Sequence, residues 1–530
     1  MKNDLLVTAV LFTPLIGLIP ILLLPKAREN QIKWVALFFT IITLGAASVL
    51  LLSFDTNIAG MQHEHLAEWI SFAGLKINYY VGVDGLSIWM IMLTGFIMPL
   101  AILFSLNHIK TQLRLYYSFM LVLEFAFIGV FVAQDLFLFF VFWEISLVPM
   151  YFVVGIWGSE QRIYAAVKLF LYTLAGSLLM LLSILWMGSH FGTFNMQELM
   201  VRVHDTTSAI PAYPRFLIEA LVFLGFFIAF AVKVPIWPLH SWLPDAHVQA
   251  PTAGSVILAG VMLKLGTYGL VRFCLGLFPH AAVYFAPFIG VLAIIGIIYG
   301  AWVSYAQTDV KKLVAYSSIS HLGFVVLGIF ALGPGHAAAL SGATLQMVNH
   351  GVSTGGLFLL VGMLYERRHT KAIDAFGGIW KVMPIFSGLS LIIALSSMGL
   401  PGLNGFVGEF TILLGTFGSS VLGPIFAAVA TTGVILAAVY LLYMWNKVFM
   451  GDVTHEENNH LAPLQWNETL ALVVVVIAAL FIGLYPTPFF TAMDKSVAQM
   501  SSQLQTYIPA ANQRAVEPTT DQTIVQGTGR

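Results

Sequence analysis

The chain has 530 residues, of which 59% are hydrophobic and only 9% charged, with a formal net charge of −1. Apolar runs of spanning length recur along its whole length, which marks an all-α polytopic membrane protein and leaves no basic face for nucleic acid. Cys274 is the single cysteine, which excludes an internal disulfide and the several thiolates of an iron–sulfur cluster, and no nucleotide-binding glycine loop follows a strand pattern.

In chain order, Leu5 to Leu24 is long enough to span and lacks a small-residue cleavage site, so it reads as an uncleaved first helix. At about 20 apolar residues per span, about fourteen transmembrane helices are expected, centred near residues 14, 43, 95, 124, 145, 176, 231, 265, 293, 321, 350, 400, 435 and 477. Loops after odd-numbered helices carry Lys26, Arg28, Lys33, Lys110, Arg114, Arg162, Lys311, Lys312, Arg367, Arg368, Lys371 and Lys447. The positive-inside rule places those loops in the cytoplasm. Both termini then lie on the outer side, periplasmic if the bilayer is a bacterial inner membrane. The opposite loops hold Lys76, Arg202 and Arg215.

The stretch from Phe54 to Tyr80 reads as a polar loop. Its HEH at His63 to His65, like HEENNH at His455 to His460, is expected to be solvated surface rather than a metal site. After the last span Phe490, Met493, Val497, Met500 and Leu504 recur at spacings of three and four, which predicts an amphipathic helix lying on the membrane or on a partner. From Pro509 onward a polar, mobile tail is expected.

Two spans are interrupted. Pro235 and Pro238 break the helix beside Lys233, and Pro401, Gly402 and Gly405 break the helix before Glu409. Matching breaks predict two inverted five-helix repeats, helices 4–8 and 9–13, each with a broken helix as its fourth member. The expected division is 1–110 for helices 1–3, 111–280 and 281–450 for the repeats, and 451–530 for the last span and the tail.

Six ionisable residues fall at membrane depth, where a charge costs at least about 2.5–3.5 kcal/mol and is a functional hypothesis by default. Glu144, in LFLFFVFWEISLVPMYF, is expected to be held ionised by Lys233. A buried pair adds little stability over an apolar isostere, which favours a functional reading. Lys233 and Lys264, bounded by apolar residues, are expected to load and release protons. His321 and His350 occupy the middles of successive helices beside Ser317, Ser318, Ser320, Asn349 and Thr354, and histidine titrates near neutral pH. Glu409 follows the second break, where freed backbone groups call for hydration, and is the expected terminal carrier. Glu124 is a weaker candidate. His240, Asp245 and His247 lie beyond the first break and read as lining an entry or holding the loop.

The motifs VGVDGLS at 81–87, FWEISLVPMYF at 142–152, PLHSWLPDAHVQAPTAGSVILAG at 238–260, QTDVKKLVAYSSISHLG at 307–323 and LPGLNGFVGEF at 400–410 resemble the antiporter-like subunits of respiratory complex I, the NADH:quinone oxidoreductase. LYERRHTK at 364–371, with Glu rather than Lys at 409, resembles the subunit M (mitochondrial subunit 4) type most. The resemblance implies Glu144 and Lys233 as a coupled pair, Lys264 as central relay, His321 and His350 in a hydrated axis, and Glu409 as the distal site. It also implies no cofactor in this chain, with FMN, iron–sulfur clusters and quinone in partner subunits. The implied partners are the lipid bilayer and the other membrane subunits, L and N above all. The alternative is a subunit of a multisubunit sodium/proton antiporter or of an energy-converting hydrogenase.

Overall fold

Residues that cannot bond water with their backbone must bond themselves, so apolar runs in a membrane close into helices. The computed structural model describes residues 4–25, 27–72, 75–205 and 213–509. Lys26 and the tail beyond residue 509 lie outside these.

The chain opens with α1 (Leu6–Leu23) and α2 (Glu29–Leu52), then an antiparallel hairpin of β1 (Gln62–Phe72) and β2 (Leu75–Val83), and then α3 (Ser87–His108). A first group follows: α4 (Leu113–Val132), α5 (Leu136–Trp157), α6 (Arg162–Phe191), the short α7 (Met196–His204), and α8 (Phe216–Lys233). The short α9 (Trp242–Gln249) and the span Thr252–Leu275 complete it. That span is α10 (Thr252–Ile257), a π-helical turn at Leu258–Met262, α11 (Leu263–Gly269) and a second π turn at Leu270–Leu275.

The second group is α12 (Pro279–Tyr305), α13 (Val310–Phe330), α14 (His336–Arg368), α15 (Ile379–Val382), α16 (Pro384–Ser397), α17 (Asn404–Phe417) and α18 (Gly423–Phe449). The chain then runs through α19 (Trp466–Leu484) and α20 (Thr487–Gln505). Among the described residues thirteen helices are long and apolar enough to cross a membrane. The expected span near residue 400 is split into α16 and α17, each too short to cross alone. Both expected breaks are present: α8 ends at Lys233 with α9 beginning at Trp242, and α16 ends at Ser397 with α17 beginning at Asn404.

Enclosure differs sharply between helices. The most apolar windows of Thr252–Leu275 and α14 are 100% buried and that of α13 is 94% buried, against 33% for α2. The helices that carry Lys264, His350 and His321 therefore form the middle of the bundle, walled from lipid by the others.

Two sequence expectations are corrected. The stretch expected as a polar loop is the β-hairpin, in which His65 opposes Val81 and Glu68 opposes Asn78; KINY alternates with a period of two, and the aromatic and β-branched YYV that follows favours strand. The apolar stripe of α20 is covered by the chain itself rather than by membrane or partner. Trp89 stacks on Phe489 at 4.1 Å and donates to its carbonyl at 3.2 Å, Ser496 accepts from the Gly85 amide at 3.1 Å, and Ser501 bonds His336 at 3.0 Å.

The VGVDGLS motif anchors α3. Asp84 accepts from the amides of Leu86 and Ser87 and from Arg272, whose Nη2 lies 2.7 Å away, while Tyr268 donates to the Phe131 carbonyl at 3.0 Å. Both members of this ion pair are buried, so it fixes the second π turn against the hairpin.

Candidate functional site

π turns leave carbonyls without their usual helical partners. Lys264, placed just after the first π turn, donates to one of them, the carbonyl of Ala259. Its Nζ also lies 2.7 Å from Nδ1 of His350 on α14. Both side chains are buried, as are those around them. The two histidines face each other, their ring centroids 6.2 Å apart and inclined by 59°.

His321 continues the row. Its Nδ1 lies 2.7 Å from Oε1 of Glu409 and its Nε2 3.1 Å from the hydroxyl of Tyr440. Gln346 donates to the same carboxylate oxygen at 2.9 Å, and Asn349 donates to Gln346 at 3.2 Å and to the Asn404 carbonyl at 2.7 Å. The hydroxyls of Ser353 and Ser396 lie 2.6 Å apart and both lie within hydrogen-bond reach of Oδ1 of Asn404, so one can donate to it directly and the other through its neighbour. The break between α16 and α17 is thus lined with polar groups. Among the described residues Oε2 of Glu409, Oδ1 of Asn349 and Nε2 of His350 are buried with no hydrogen-bond partner, atoms placed to take water or a proton.

The serines expected beside the histidines play another part: Ser317 and Ser318 bond the Val314 carbonyl and Ser320 bonds that of Ile297. Gln346 and Tyr440 were missed in the sequence. Gln346 is one helical turn before His350, the spacing that puts two side chains on one face. Tyr440, in AAVYLLYMW, carries no comparable signal.

The direct contact expected between Glu144 and Lys233 is not formed. No ion pair joins them among the described residues, and Lys233 Nζ and Glu144 Oε1 are buried without hydrogen-bond partners. Lys233 instead stands 4.9 Å above the ring of Trp143, whose Nε1 donates to Ser177. The reason is helical phase: adjacent residues point about 100° apart, and Trp143 faces α8 while Glu144 lies half-buried on the flank of α5. A buried ammonium over an indole face gains a cation–π attraction, with Glu144 beyond contact but within electrostatic reach.

Beyond the first break, Asp245 pairs with Lys168 at 2.6 Å and His240 lies 3.3 Å from the Tyr299 hydroxyl. His247 is wholly buried, stacked on Phe358 at 4.5 Å, with neither ring nitrogen hydrogen-bonded among the described residues, and within electrostatic reach of both Lys264 and Lys311. It is deeper than a loop-holding residue. Lys311, expected in a loop, is buried in the first turn of α13 and donates to the Ala250 carbonyl at 2.6 Å. Lys371 donates to the Val248 carbonyl at 2.8 Å. Together they satisfy carbonyls at the end of α9, where cations are favoured, and burial holds the Lys371 ammonium below its usual pKa. Glu124 is buried with neither oxygen hydrogen-bonded among the described residues.

A cavity of about 180 Å³ opens at this basic end of the bundle, lined by Ser105, His108, Trp157, Lys311, Glu366 and Lys371 among others. It shares His108, Trp157 and Glu366 with a wider, open depression of about 550 Å³ bordered by Lys110, Arg162 and Arg367. His108 joins the two walls, 3.2 Å from Glu366 and 3.8 Å from Glu468, which Arg367 grips at 2.6 Å. The other histidine-rich stretches are surface structure: His63 pairs with Asp4 at 2.6 Å and His455 bonds the Asp374 carbonyl.

Residues 133–436 match the model of the NADH:quinone oxidoreductase/Mrp antiporter transmembrane family. The NADH-quinone oxidoreductase subunit M of Rhodobacter capsulatus is 43% identical over 479 residues, covering 89% of this chain and 91% of its own. NADH-ubiquinone oxidoreductase chain 4 of Marchantia polymorpha is 38% identical over 494 residues, 93% and 96% of the two chains. A chain of respiratory complex I from Thermus thermophilus superposes with a TM-score of 0.82 at 30% identity, over 94% of this chain and 99% of that one. A chain of the Mrp complex from Dietzia shares the fold, with a TM-score of 0.79 at 18% identity over 95% and 99% of the two chains.

The fold and the buried row of titratable side chains define an antiporter-like integral membrane protein. The chain belongs to the NADH:quinone oxidoreductase/Mrp antiporter family, as a proton-translocating membrane subunit of the subunit M, or chain 4, type.

Proposed function

We propose that protons enter at the basic end through the cavity at His108 and Glu366, pass by Lys311 and His247 to Lys264, and continue through His350 and His321 to Glu409. The observation that carries this reading is the pair of 2.7 Å contacts, Lys264 to His350 and His321 to Glu409, on two rings 6.2 Å apart. One water can bridge such a gap. Lys233 and Glu144 act as the coupling element: approach of the carboxylate favours the charged ammonium, and its withdrawal favours proton release.

Moving one charge against 100 mV takes about 2.3 kcal/mol. In this reading quinone reduction elsewhere supplies it, with FMN, iron–sulfur clusters and quinone in partner subunits and no redox chemistry in this chain. Its neighbours are the other antiporter-like subunits, L and N. The matching breaks support two inverted repeats over 111–280 and 281–450. The Lys/Arg-rich end faces the cytoplasm, with both termini outside.

The test uses the whole complex reconstituted in vesicles. Glu409→Gln is expected to lower the protons moved per electron while NADH oxidation continues. An unchanged ratio would overturn the route. Transport that requires sodium would replace it with cation exchange at Glu409.

A further inference from the structure

Away from the proton route, an open apolar groove of about 470 Å³ runs between α1 and α2, formed by Pro20 and Leu24 on one side and Gln31, Trp34, Val35 and Phe38 on the other. Trp34 and Phe38 are 50% and 58% exposed. In a bilayer such a slot fills with hydrocarbon, whether an acyl chain or a partner's side chains. What distinguishes the two is the mouth.

Two arginines reach residues that form the groove. Arg114 donates through Nη2 to the carbonyl of Leu24, leaving its buried Nε without a partner. Among the described residues the Arg28 side chain makes one long contact, 3.4 Å to Gln31. A guanidinium carries five donors in a planar fork that matches phosphate oxygens two at a time, so both have most of that capacity to spare. Trp34 stacks against Trp466 of α19, 6.4 Å away and 7° from parallel, and both rings are at least half exposed. Paired exposed indoles at helix ends mark headgroup depth. The slot therefore lies in the hydrocarbon with its cationic mouth among headgroups.

We infer that the groove between α1 and α2 binds one anionic phospholipid, its acyl chain along Trp34 and Phe38 and its phosphate on Arg28 and Arg114.

The test uses the complete membrane complex exposed to vesicles containing phosphatidylglycerol with a photoactivatable acyl chain, or phosphatidylcholine with the same chain, followed by peptide mapping. The anionic probe is expected to label α1 and α2 near Trp34 and Phe38 several-fold more than the zwitterionic one. Arg28→Gln should lower that labelling about fivefold, the effect of one basic residue at an anionic headgroup. Arg28 is exposed and bonds little else, so this variant keeps the fold. Arg114→Lys should lower it as well while keeping a donor for the Leu24 carbonyl. Equal labelling by the two probes, labelling unchanged in Arg28→Gln, or crosslinks from the groove to a protein neighbour instead of lipid would each overturn the assignment.

Discussion

The ammonium nitrogen of Lys264 lies 2.7 Å from Nδ1 of His350, so a lysine on a π-interrupted helix and a histidine on the 33-residue helix α14 share one hydrogen bond in the middle of the bundle. Neither residue is near the other in sequence. Their meeting joins the half of the molecule that contains Lys233 to the half that contains Glu409, and a proton can cross it without any intermediate carrier.

That contact separates two roles for Lys264, a fixed positive charge and a releasable proton. Lys264→Arg preserves the charge but carries a guanidinium that does not deprotonate in proteins. If release matters, this variant assembles yet pumps at least about tenfold less, the loss expected when a positioned acid–base group is removed. Proton uptake per NADH oxidised, measured in reconstituted vesicles, checks it. Pumping at the normal ratio would show that the charge alone suffices.

Lys233 yields an opposition between stability and activity. Its ammonium is buried over an indole face with no hydrogen-bond partner among the described residues and with Glu144 only within electrostatic reach, and a buried charge without a direct partner is costly to the fold. Lys233→Met is therefore expected to leave the unfolding temperature unchanged or raise it, while proton translocation coupled to quinone reduction is lost. Glu144→Ala should likewise assemble and fail to pump. Thermal unfolding and vesicle acidification on the same preparations decide the matter; a variant that loses stability in step with activity would make Lys233 a structural residue.

How far these sites were legible differs residue by residue. Depth was readable, because each of the six ionisable residues sits within a run long enough to span and a charge there is conspicuous. The two breaks were readable from proline and glycine. Pairing was not. Trp143 and Glu144 are neighbours in the same apolar run, and a rotation of about 100° decides which meets Lys233; no pattern in an all-apolar helix sets that phase. Tyr440 was hidden for the same reason, on a helix with no periodic polarity. The hairpin was hidden because alternation is confined to KINY at 76–79, while the first strand opens on four polar residues in a row, QHEH.

Gly408 tests how tightly the terminal site is built. A methyl group there would run into Oε1 of Gln346 and come within 2.8 Å of Nδ2 of Asn349, the two amides that hold Glu409 and the Asn404 carbonyl. Gly408→Ala is expected to displace Gln346 and break its bond to Glu409, costing about 1 kcal/mol for the lost hydrogen bond and reducing pumping several-fold. The effect should shrink in the double variant Gly408→Ala with Gln346→Ala relative to Gln346→Ala alone, because the contact with the Gln346 amide is then gone and only those with Asn349 and the Cβ of residue 346 remain. Separate, additive losses from the two substitutions would show that the glycine acts elsewhere.

Asp135 is the group expected to make stability depend on pH. It caps α5 by accepting from the amides of Phe137 and Leu138 and also takes the Asn78 amide of the hairpin. Burial raises its pKa to about 6 from 3.8, outweighing the lowering by those three bonds. The folded state thus binds the proton more tightly than the unfolded chain does. Its contribution is fully present below pH 3.8 and is lost as pH rises through about 6. Unfolding temperature should therefore fall between pH 4 and pH 6.5 by more in the natural protein than in Asp135→Asn, which keeps a capping oxygen but does not titrate. Identical slopes in the two proteins would place the titrating group elsewhere.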